Sequence, residues 1–247
     1  MNKLIHGTWQ EELPKLEDNS VDLIIIDPPY LITKEKWDKE EQVTEVLSEN
    51  IFRILKPSGN FYCWGSVGEK NQLLIDWLYM FKNTGWYFKD WITWKKQRGM
   101  GNRRGWLYTR EEILWFVKDN KQFIWNKENQ YSNIPRKKSG FNKKAIEVTG
   151  RNLLRYSNVW IDINESTLGD SGVKFAKKRI ESGFFHFTPK PKKAIERIIL
   201  AHTKENDVVL DCFLGSGTTM QVCNELGRNC IGIEKELEYY EHCQQYE

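Results

Sequence analysis

Asp27, Pro28, Pro29 and Tyr30 bring together, in consecutive positions, the groups that would hold a planar molecule carrying an amine. Two prolines in a row fix φ and remove two amide donors, so the backbone carbonyls beside them stay free to accept hydrogen bonds. The Asp27 carboxylate is a second acceptor, and the Tyr30 ring offers a flat surface on which a base can stack. The plain alternative is a turn that ends a strand, because Asp and Pro are ordinary turn formers.

The element that must position this segment is an apolar run. Residues 23–26 read LIII without a polar interruption, which is typical of a strand covered on both faces in a parallel sheet. The run stops at Asp27, so this carboxylate is expected at the carboxyl end of the strand. Open α/β sheets bind their ligands at that edge, which favours a functional interpretation of the acid.

A second segment with chemical potential comes much later in the chain. Residues 207–210 form a short apolar run that leads into Asp211, and Gly215 and Gly217 follow in a turn that opens a helix. Glycines permit a tight turn and let a ligand approach the backbone. The next strand, over 229–233, ends at Glu234, which lies about 20 residues beyond the first acid, where a Rossmann acid binds ribose hydroxyls.

The glycine-rich turn does not identify its cofactor by itself. A dinucleotide fits such a turn equally well, although the third glycine of the nicotinamide fingerprint is missing because Met220 follows Thr219. The chain contains no GxxxxGK[ST] sequence, which excludes a phosphate-binding P-loop.

Four segments, 21–30, 186–191, 211–219 and 229–234, resemble the motifs of one enzyme family. Residues 27–30 resemble the catalytic motif of DNA methyltransferases that act on exocyclic amines, and DCFLGSGTT, at 211–219, resembles their S-adenosylmethionine motif. Residues 186–191 resemble a further cofactor motif, from which Phe187 and Pro189 depart. The resemblance implies that Asp27, Pro28, Pro29 and Tyr30 are catalytic. It implies that S-adenosylmethionine is bound by Asp211, Phe213, Gly215, Gly217, Thr218, Glu234, Thr188 and Lys190, the last two at the methionine carboxylate.

Strands and helices are expected to alternate along most of the chain. Hydrophobic spacing predicts helices over 40–55 and 72–81, and strands over 3–5, 60–64, 87–94 and 112–117. Pro57 is expected to break the chain after the first helix, and the glycine-rich basic stretch KKQRGMGNRRG is expected to be the loop between the last two strands. This pattern, together with the resemblance, predicts an α/β fold with a doubly wound, mostly parallel sheet of Rossmann-like methyltransferase type. Catalytic motif before cofactor motif is the order of the permuted beta group. We therefore predict a catalytic half over 1–117, a basic target-recognition insertion over 118–185 and a cofactor-binding half over 186–247.

The net charge of +3 conceals an uneven distribution. Seven basic residues and one acid occupy 89–110, the same numbers occupy 136–155, and 225–247 is acidic. Aromatic residues such as Trp94 and Trp106 lie within the first basic stretch, which favours a surface for a polyanion over lysines and arginines that merely solvate loops. Contact with double-stranded DNA is predicted for Arg98, Arg103, Arg104, Arg136, Lys137 and Lys138.

The resemblance implies transfer of a methyl group from S-adenosylmethionine to adenine N6 of a flipped base. Cytosine N4 is the nearest alternative, although the resembling enzymes more often have Ser in place of Asp27 for that substrate. Cytosine C5 chemistry is disfavoured because none of the seven prolines precedes a cysteine. An RNA or protein methyltransferase shares the cofactor logic, and a catalytically silent DNA-binding module would predict a damaged Asp27 or Asp211.

The sequence also bears on the location of the protein in the cell and on the state of its cysteines. No apolar stretch is long enough for a membrane span, and the first residues lack the apolar core of a signal peptide, which predicts a cytoplasmic protein. The resemblance implies that the cell is prokaryotic or phage-infected. The five cysteines form no CxxC pair, which argues against a disulfide framework and a zinc site, so we expect reduced, mostly buried thiols and no metal. The family also allows a homodimer and a separate cognate restriction endonuclease.

Overall fold

A computed structural model of the protein describes residues 2–31, 42–67, 72–100, 105–137, 140–165 and 189–247. The side chains of residues 98–100, 140 and 141 are outside this description. The strands are β1 (Lys3–His6), β2 (Val21–Ile26), β3 (Leu55–Gly65), β4 (Tyr87–Met100), β5 (Tyr108–Val117), β6 (Tyr131–Pro135), β7 (Leu153–Arg155), β8 (Val159–Trp160), β9 (Val208–Asp211) and β10 (Asn229–Glu234). The α-helices are α1 (Trp9–Glu12), α2 (Glu45–Ile54), α3 (Leu73–Asn83), α4 (Gly140–Thr149), α5 (Lys192–His202), α6 (Thr218–Leu226) and α7 (Leu237–Cys243).

Eight strands form one sheet in the order β1-β10-β9-β2-β3-β5-β4-β8. Neighbours from β1 to β3 run parallel, β5 runs antiparallel to both of its neighbours, and β8 is parallel to β4. Strands β6 and β7 form a separate two-stranded antiparallel sheet. The predicted doubly wound, mostly parallel α/β architecture is therefore confirmed.

Strand β2 occupies the centre of the sheet because both of its faces are apolar. All of its residues are buried, and successive side chains point to opposite faces. Leu23 and Ile25 belong to the core that contains Ile195 of α5, whereas Ile24 and Ile26 belong to the core beneath α2. Helices thus cover both faces, and only the strand ends remain for a site.

The start of β3 differs from the sequence prediction. Helix α2 ends at Ile54 and β3 begins at once with Leu55, whereas the sequence predicted a strand over 60–64 after a break at Pro57. Leu55 pairs with Val21, and the register then shifts before Leu23 pairs with Asn60. A bulge accommodates a proline because it interrupts the ladder of hydrogen bonds.

Strands β4 and β5 are longer than the expected 87–94 and 112–117. Gly65, the last residue of β3, pairs with Glu112, but β4 and β5 continue to pair as far as Met100 and Tyr108. We call residues 94–100 and 105–111, which extend past the end of β3, the β4–β5 arm. Half of the basic stretch that was expected to be a loop therefore lies on strands.

Part of the predicted insertion packs against helix α5 and strand β4. The Asn126 side-chain amide donates to the carbonyls of Leu200 and Thr203 at the end of α5, at 3.0 and 2.9 Å. Strand β8 then pairs with β4 at Thr93 and Trp94. The insertion boundaries, 118 and 185, remain a prediction, since residues 166–188 lie outside the described part of the chain.

All five cysteines are buried and free, as the sequence predicted. Among the described residues, no helix is both long and apolar enough to cross a membrane.

His202, the last residue of α5, is a buried and neutral histidine. Its Nδ1 donates to the carbonyl of Ile124 at 2.8 Å, so its Nε2 is free to accept from the Tyr62 hydroxyl at 2.6 Å. Burial lowers the pKa of His202 from 6.5 to about 4. The unfolded chain therefore takes up this proton at a higher pH than the folded protein does.

We predict that His202→Gln weakens the loss of stability in acid. In the wild-type protein the free energy of unfolding should fall as the pH drops from 6.5 towards 4, by about 3 kcal/mol from this group. Urea denaturation at several pH values measures the effect, with His6→Gln, an exposed histidine, as the control. Equal pH dependence in wild type and His202→Gln would contradict the assignment.

Candidate active site

Two acids lie at the same edge of the sheet because β2 and β9 are parallel neighbours. Leu23 pairs with Val209 and Ile24 with Leu210, so Asp27 and Asp211 both lie at the carboxyl ends of their strands. A cleft opens between them. It is lined by Ile25, Asp27, Trp64, Pro189, Lys190, Ile195, Asp211, Phe213, Leu214, Gly215, Ser216, Thr218 and Thr219.

Asp211 fixes the start of the glycine-rich turn. One carboxylate oxygen accepts the backbone amide of Phe213 at 3.0 Å, and the other accepts the Thr219 hydroxyl at 2.6 Å. Burial raises the pKa of Asp211 to about 7, against the lowering effect of these two donors. The acid therefore ties the strand end to the first turn of α6.

Glu234 holds the middle of the same turn. Its two oxygens accept the backbone amides of Gly215 and Glu236, at 2.7 and 2.8 Å, and burial raises its pKa to about 7. Gly215 and Gly217 have positive φ values of 54° and 80°. A Cβ at Gly217 would lie 2.8 Å from Cys243 Sγ, so this position requires glycine for both its conformation and its packing.

Asp27 has a partner on each carboxylate oxygen. The Tyr30 hydroxyl donates to one oxygen at 2.5 Å, and Lys190 Nζ lies 2.8 Å from the other. Burial raises the pKa of Asp27, while the Lys190 charge opposes the rise. Burial, and then the Asp27 charge, raises the pKa of the Tyr30 hydroxyl well above its ordinary value, so the phenol stays protonated as a donor. Pro28 is buried, which holds the backbone path rigid beneath these groups.

Lys190 joins the catalytic and cofactor segments. Its Nζ lies 3.1 Å from Glu111 in addition to Asp27, and 5.4 and 5.3 Å from the ring centres of Tyr30 and Trp64. The sequence predicted that this lysine would hold the methionine carboxylate. In the structure its ammonium lies between two protein carboxylates, and the predicted role stays untested.

The cleft gathers six of the twelve predicted catalytic and cofactor-binding residues. Asp27, Lys190, Asp211, Phe213, Gly215 and Thr218 line it. Thr188, Arg103, Arg104 and Lys138 lie outside the described residues, as does the side chain of Arg98. Arg136 and Lys137 follow β6, and Arg136 Nε donates to the Leu153 carbonyl of the neighbouring strand β7. Neither residue lines the cleft.

Three residues of this site escaped the sequence analysis: Trp64, Lys96 and Glu111. Glu111 ion-pairs with Lys96 across the β4–β5 arm as well as approaching Lys190. The sequence does carry a local signal for Glu111. Glu111 and Glu112 directly precede the apolar run ILWFV, just as Asp27 directly follows the apolar run LIII, so in both places acids lie at the end of a buried strand. The sequence does not show where these glutamates lie in the sheet. The antiparallel pairing of β3 with β5 places the start of β5 at the edge where β3 ends, which is also the edge of Asp27.

Residues 21–245 match the family model described as DNA methylase, which covers N6 and N4 methyltransferases. This chain belongs to that DNA methylase family. Type II methyltransferase M.HpaI of Haemophilus parainfluenzae is 34% identical to it, over 97% of this chain and 72% of M.HpaI. Type II methyltransferase M1.MboII of Moraxella bovis is 31% identical, over 97% of this chain and 94% of M1.MboII. The resemblance that the motifs indicated is thus confirmed.

Solved structures share the fold of this methylase. M1.HpyAVI in complex with SAM has a TM-score of 0.62 and 24% identity, over 99% of this chain and 98% of M1.HpyAVI. The cytosine-N4-specific PvuII DNA methyltransferase has a TM-score of 0.72 and 20% identity, over 98% of this chain and 84% of that protein. These similarities establish the Rossmann-like methyltransferase fold.

We predict that Glu234→Gln destabilises the methylase. A glutamine amide has one acceptor oxygen, so either the Gly215 or the Glu236 backbone amide loses its partner, and an unsatisfied buried donor costs about 1 to 3 kcal/mol. Urea denaturation measures the change, and Glu241→Gln, an exposed acid on α7, is the control. Equal stability of the two variants would show that Glu234 does not hold the turn.

Proposed function

We propose that this DNA methylase transfers the methyl group of S-adenosylmethionine to the N6 atom of an adenine flipped out of duplex DNA. The observation that carries the proposal is the single cleft that contains both Asp27 and the glycine-rich turn after Asp211. An amine held at Asp27 and a cofactor held at the turn would meet there, and a methyl transfer requires little more than positioning and charge stabilisation.

The donor set around the turn fits S-adenosylmethionine. Trp64 Nε1 is a buried donor without a hydrogen-bond partner among the described residues, and the Trp64 ring lines the cleft beside Lys190. An indole N–H and an ammonium suit a carboxylate, and the acids Asp211 and Glu234 retain acceptor capacity for hydroxyl groups. When bound, the cofactor supplies a methyl group activated by its sulfonium.

Asp27 and Tyr30 are proposed to act directly on the adenine. The Asp27 carboxylate and the Pro28 carbonyl would accept the two amine hydrogens, and Pro29 would keep the backbone extended so that Tyr30 stacks on the base. Positive charge develops on the attacking nitrogen, so a carboxylate that accepts its hydrogen bond stabilises the transition state more than the ground state. The amine is paired in the duplex, which is why the base must flip.

The β4–β5 arm is the element proposed to face the DNA backbone beside the cleft. It extends past the end of β3 on the side where Asp27 lies. Its described side chains include Trp106, which is 97% exposed, and the exposed cations Lys95 and Arg110. Exposed cations and an aromatic ring suit phosphates and bases, respectively. Arg98, Arg103 and Arg104 belong to the same stretch of sequence, and Arg136, Lys137 and Lys138 form a second proposed contact.

The Type II names of the relatives support a role beside a separate restriction endonuclease. The methylase would then protect the host sequence by acting on its own. A homodimer is proposed from the family resemblance alone.

We predict that the purified protein labels N6-methyladenine in duplex DNA and that Asp27→Ala abolishes the label. The reaction uses labelled S-adenosylmethionine and mixed-sequence DNA, followed by digestion to nucleosides and chromatography. Asp76→Ala, the same change at an exposed aspartate of α3 that does not line the cleft, is the control and should keep N6 labelling. Label in N4-methylcytosine would overturn the choice of base, and label only in RNA would overturn the choice of nucleic acid.

We predict that replacing the basic residues with alanine flattens the salt dependence of DNA binding. Two matched triple variants separate the surfaces: Arg98, Arg103 and Arg104 in one, and Arg136, Lys137 and Lys138 in the other. Each lost phosphate contact lowers the slope of log K against log salt by about 0.9, so a full set lowers it by about 2 to 3. Fluorescence anisotropy at several salt concentrations measures the slope, and an unchanged slope in either variant removes that surface from the interface.

A further inference from the structure

Glu111 is a buried acid that the proposed chemistry leaves without a task. It lies on the β4–β5 arm, one pair beyond the end of β3, and its side chain is 10% exposed. Its neighbour Glu112 points to the opposite face, where it binds Trp91 Nε1, the Thr93 hydroxyl and Arg110. Only one of two consecutive buried glutamates, Glu111, therefore contacts Lys190 at the edge of the cleft.

Glu111 completes an alternating row of charges that begins at Asp27. Lys190 Nζ lies 2.8 Å from Asp27 and 3.1 Å from Glu111, and Lys96 pairs with the other oxygen of Glu111. Two carboxylates and two ammonium groups give a formal net charge of zero. Balanced charge matters because the side chains of Lys190 and Glu111 are almost wholly removed from water.

We propose that Glu111 is a positioning residue. It shares the Lys190 ammonium with Asp27 and so sets how strongly the lysine binds the Asp27 carboxylate. This inference rests on the proposed role of Asp27 as acceptor for the substrate amine. An amine that approaches Asp27 competes with the Lys190 ammonium for the same oxygen. Glu111 offers the ammonium a second carboxylate within reach, so Lys190 can yield the Asp27 oxygen without losing an ionic partner.

The surroundings of Lys190 fit this shared position. The ammonium lies about equally far from the ring centres of Tyr30 and Trp64, at 5.4 and 5.3 Å, so cation–π attraction to both rings adds to the attraction of the two acids. Burial would raise the pKa of Glu111, but the Lys190 charge and then the Lys96 charge hold it below the ordinary value. Glu111 is therefore ionised and able to receive the ammonium.

The same geometry gives opposite expectations for two variants. Glu111→Gln removes a negative charge near Asp27, leaves Lys190 with one acid and should lower the pKa of Asp27. Lys96→Gln removes a positive charge from the far side of Glu111 and should raise it. The charged and titratable groups around Asp27 in the described part of the chain are Tyr30, Cys63, Glu111, Lys190 and Asp211, with Lys96 behind Glu111.

Carbon-detected NMR of the Asp27 carboxyl tests the charge relation without cofactor or DNA. Asp27→Asn assigns the resonance. Interactions between charges at such distances support shifts of about half a pH unit or more. We expect the Asp27 titration to move to lower pH in Glu111→Gln and to higher pH in Lys96→Gln. Glu112→Gln, the matched buried glutamate on the opposite face, should leave it in place. Titrations that coincide in wild type and both variants would overturn the proposal.

Single-turnover methyl transfer then tests the consequence for the reaction. At saturating S-adenosylmethionine and DNA, Glu111→Gln should slow transfer about tenfold or more and move the acid limb of the pH profile downward, and Glu111→Asp should restore part of the rate. A slower rate with an unmoved limb would mean a merely structural role and overturn the proposal. A wild-type protein that methylates nothing would instead overturn the proposed function, while the NMR titration still decides the placement of Glu111.

Discussion

The pairing of β2 with β9 is the contact on which the site depends. These strands come from opposite ends of the chain, and their parallel register places the segments predicted to be catalytic and cofactor-binding at one edge of the sheet. Asp22 secures the pair from within β2, because its carboxylate accepts the backbone amide of Val208 at 3.0 Å and binds Lys56 Nζ at 2.7 Å. One acid of β2 therefore holds the two halves together, and Asp27, just past its end, faces the cleft.

The acids at this edge are satisfied by different kinds of donor. Glu234 accepts two backbone amides, and Asp211 accepts one beside the Thr219 hydroxyl; a backbone donor cannot leave without unfolding the turn. Asp27 instead accepts a phenol and lies against an ammonium, both on side chains that can rotate. Fixed donors suit residues that shape a binding turn, whereas exchangeable donors suit a carboxylate that must accept a hydrogen bond from its substrate.

The sequence predicts the local parts of this structure well and the non-local parts poorly. Residues 27–30 and the turn after Asp211 were found because each is a short segment that carries its own chemistry. Glu111 and Lys96 were missed because Glu111 reaches Lys190, and Lys96 reaches Glu111, from antiparallel strands that extend past β3, and pairing register is not written in local periodicity. Pro57 was interpreted as a break for a related reason, since a bulge absorbs it only in the context of the partner strand β2.

Lys190 shows why the permuted order of motifs matters physically. The lysine lies two residues before α5, in the half of the chain predicted to bind the cofactor, yet its ionic partners Asp27 and Glu111 belong to the half predicted to be catalytic. No backbone hydrogen bond is needed for that link, because a long side chain carries the charge across the cleft. The segment around Lys190 and the strands that carry Asp27 and Glu111 must therefore pack together before Asp27 acquires its charge environment. A ligand that draws the Lys190 ammonium away from Asp27 or from Glu111 changes the charge around both acids.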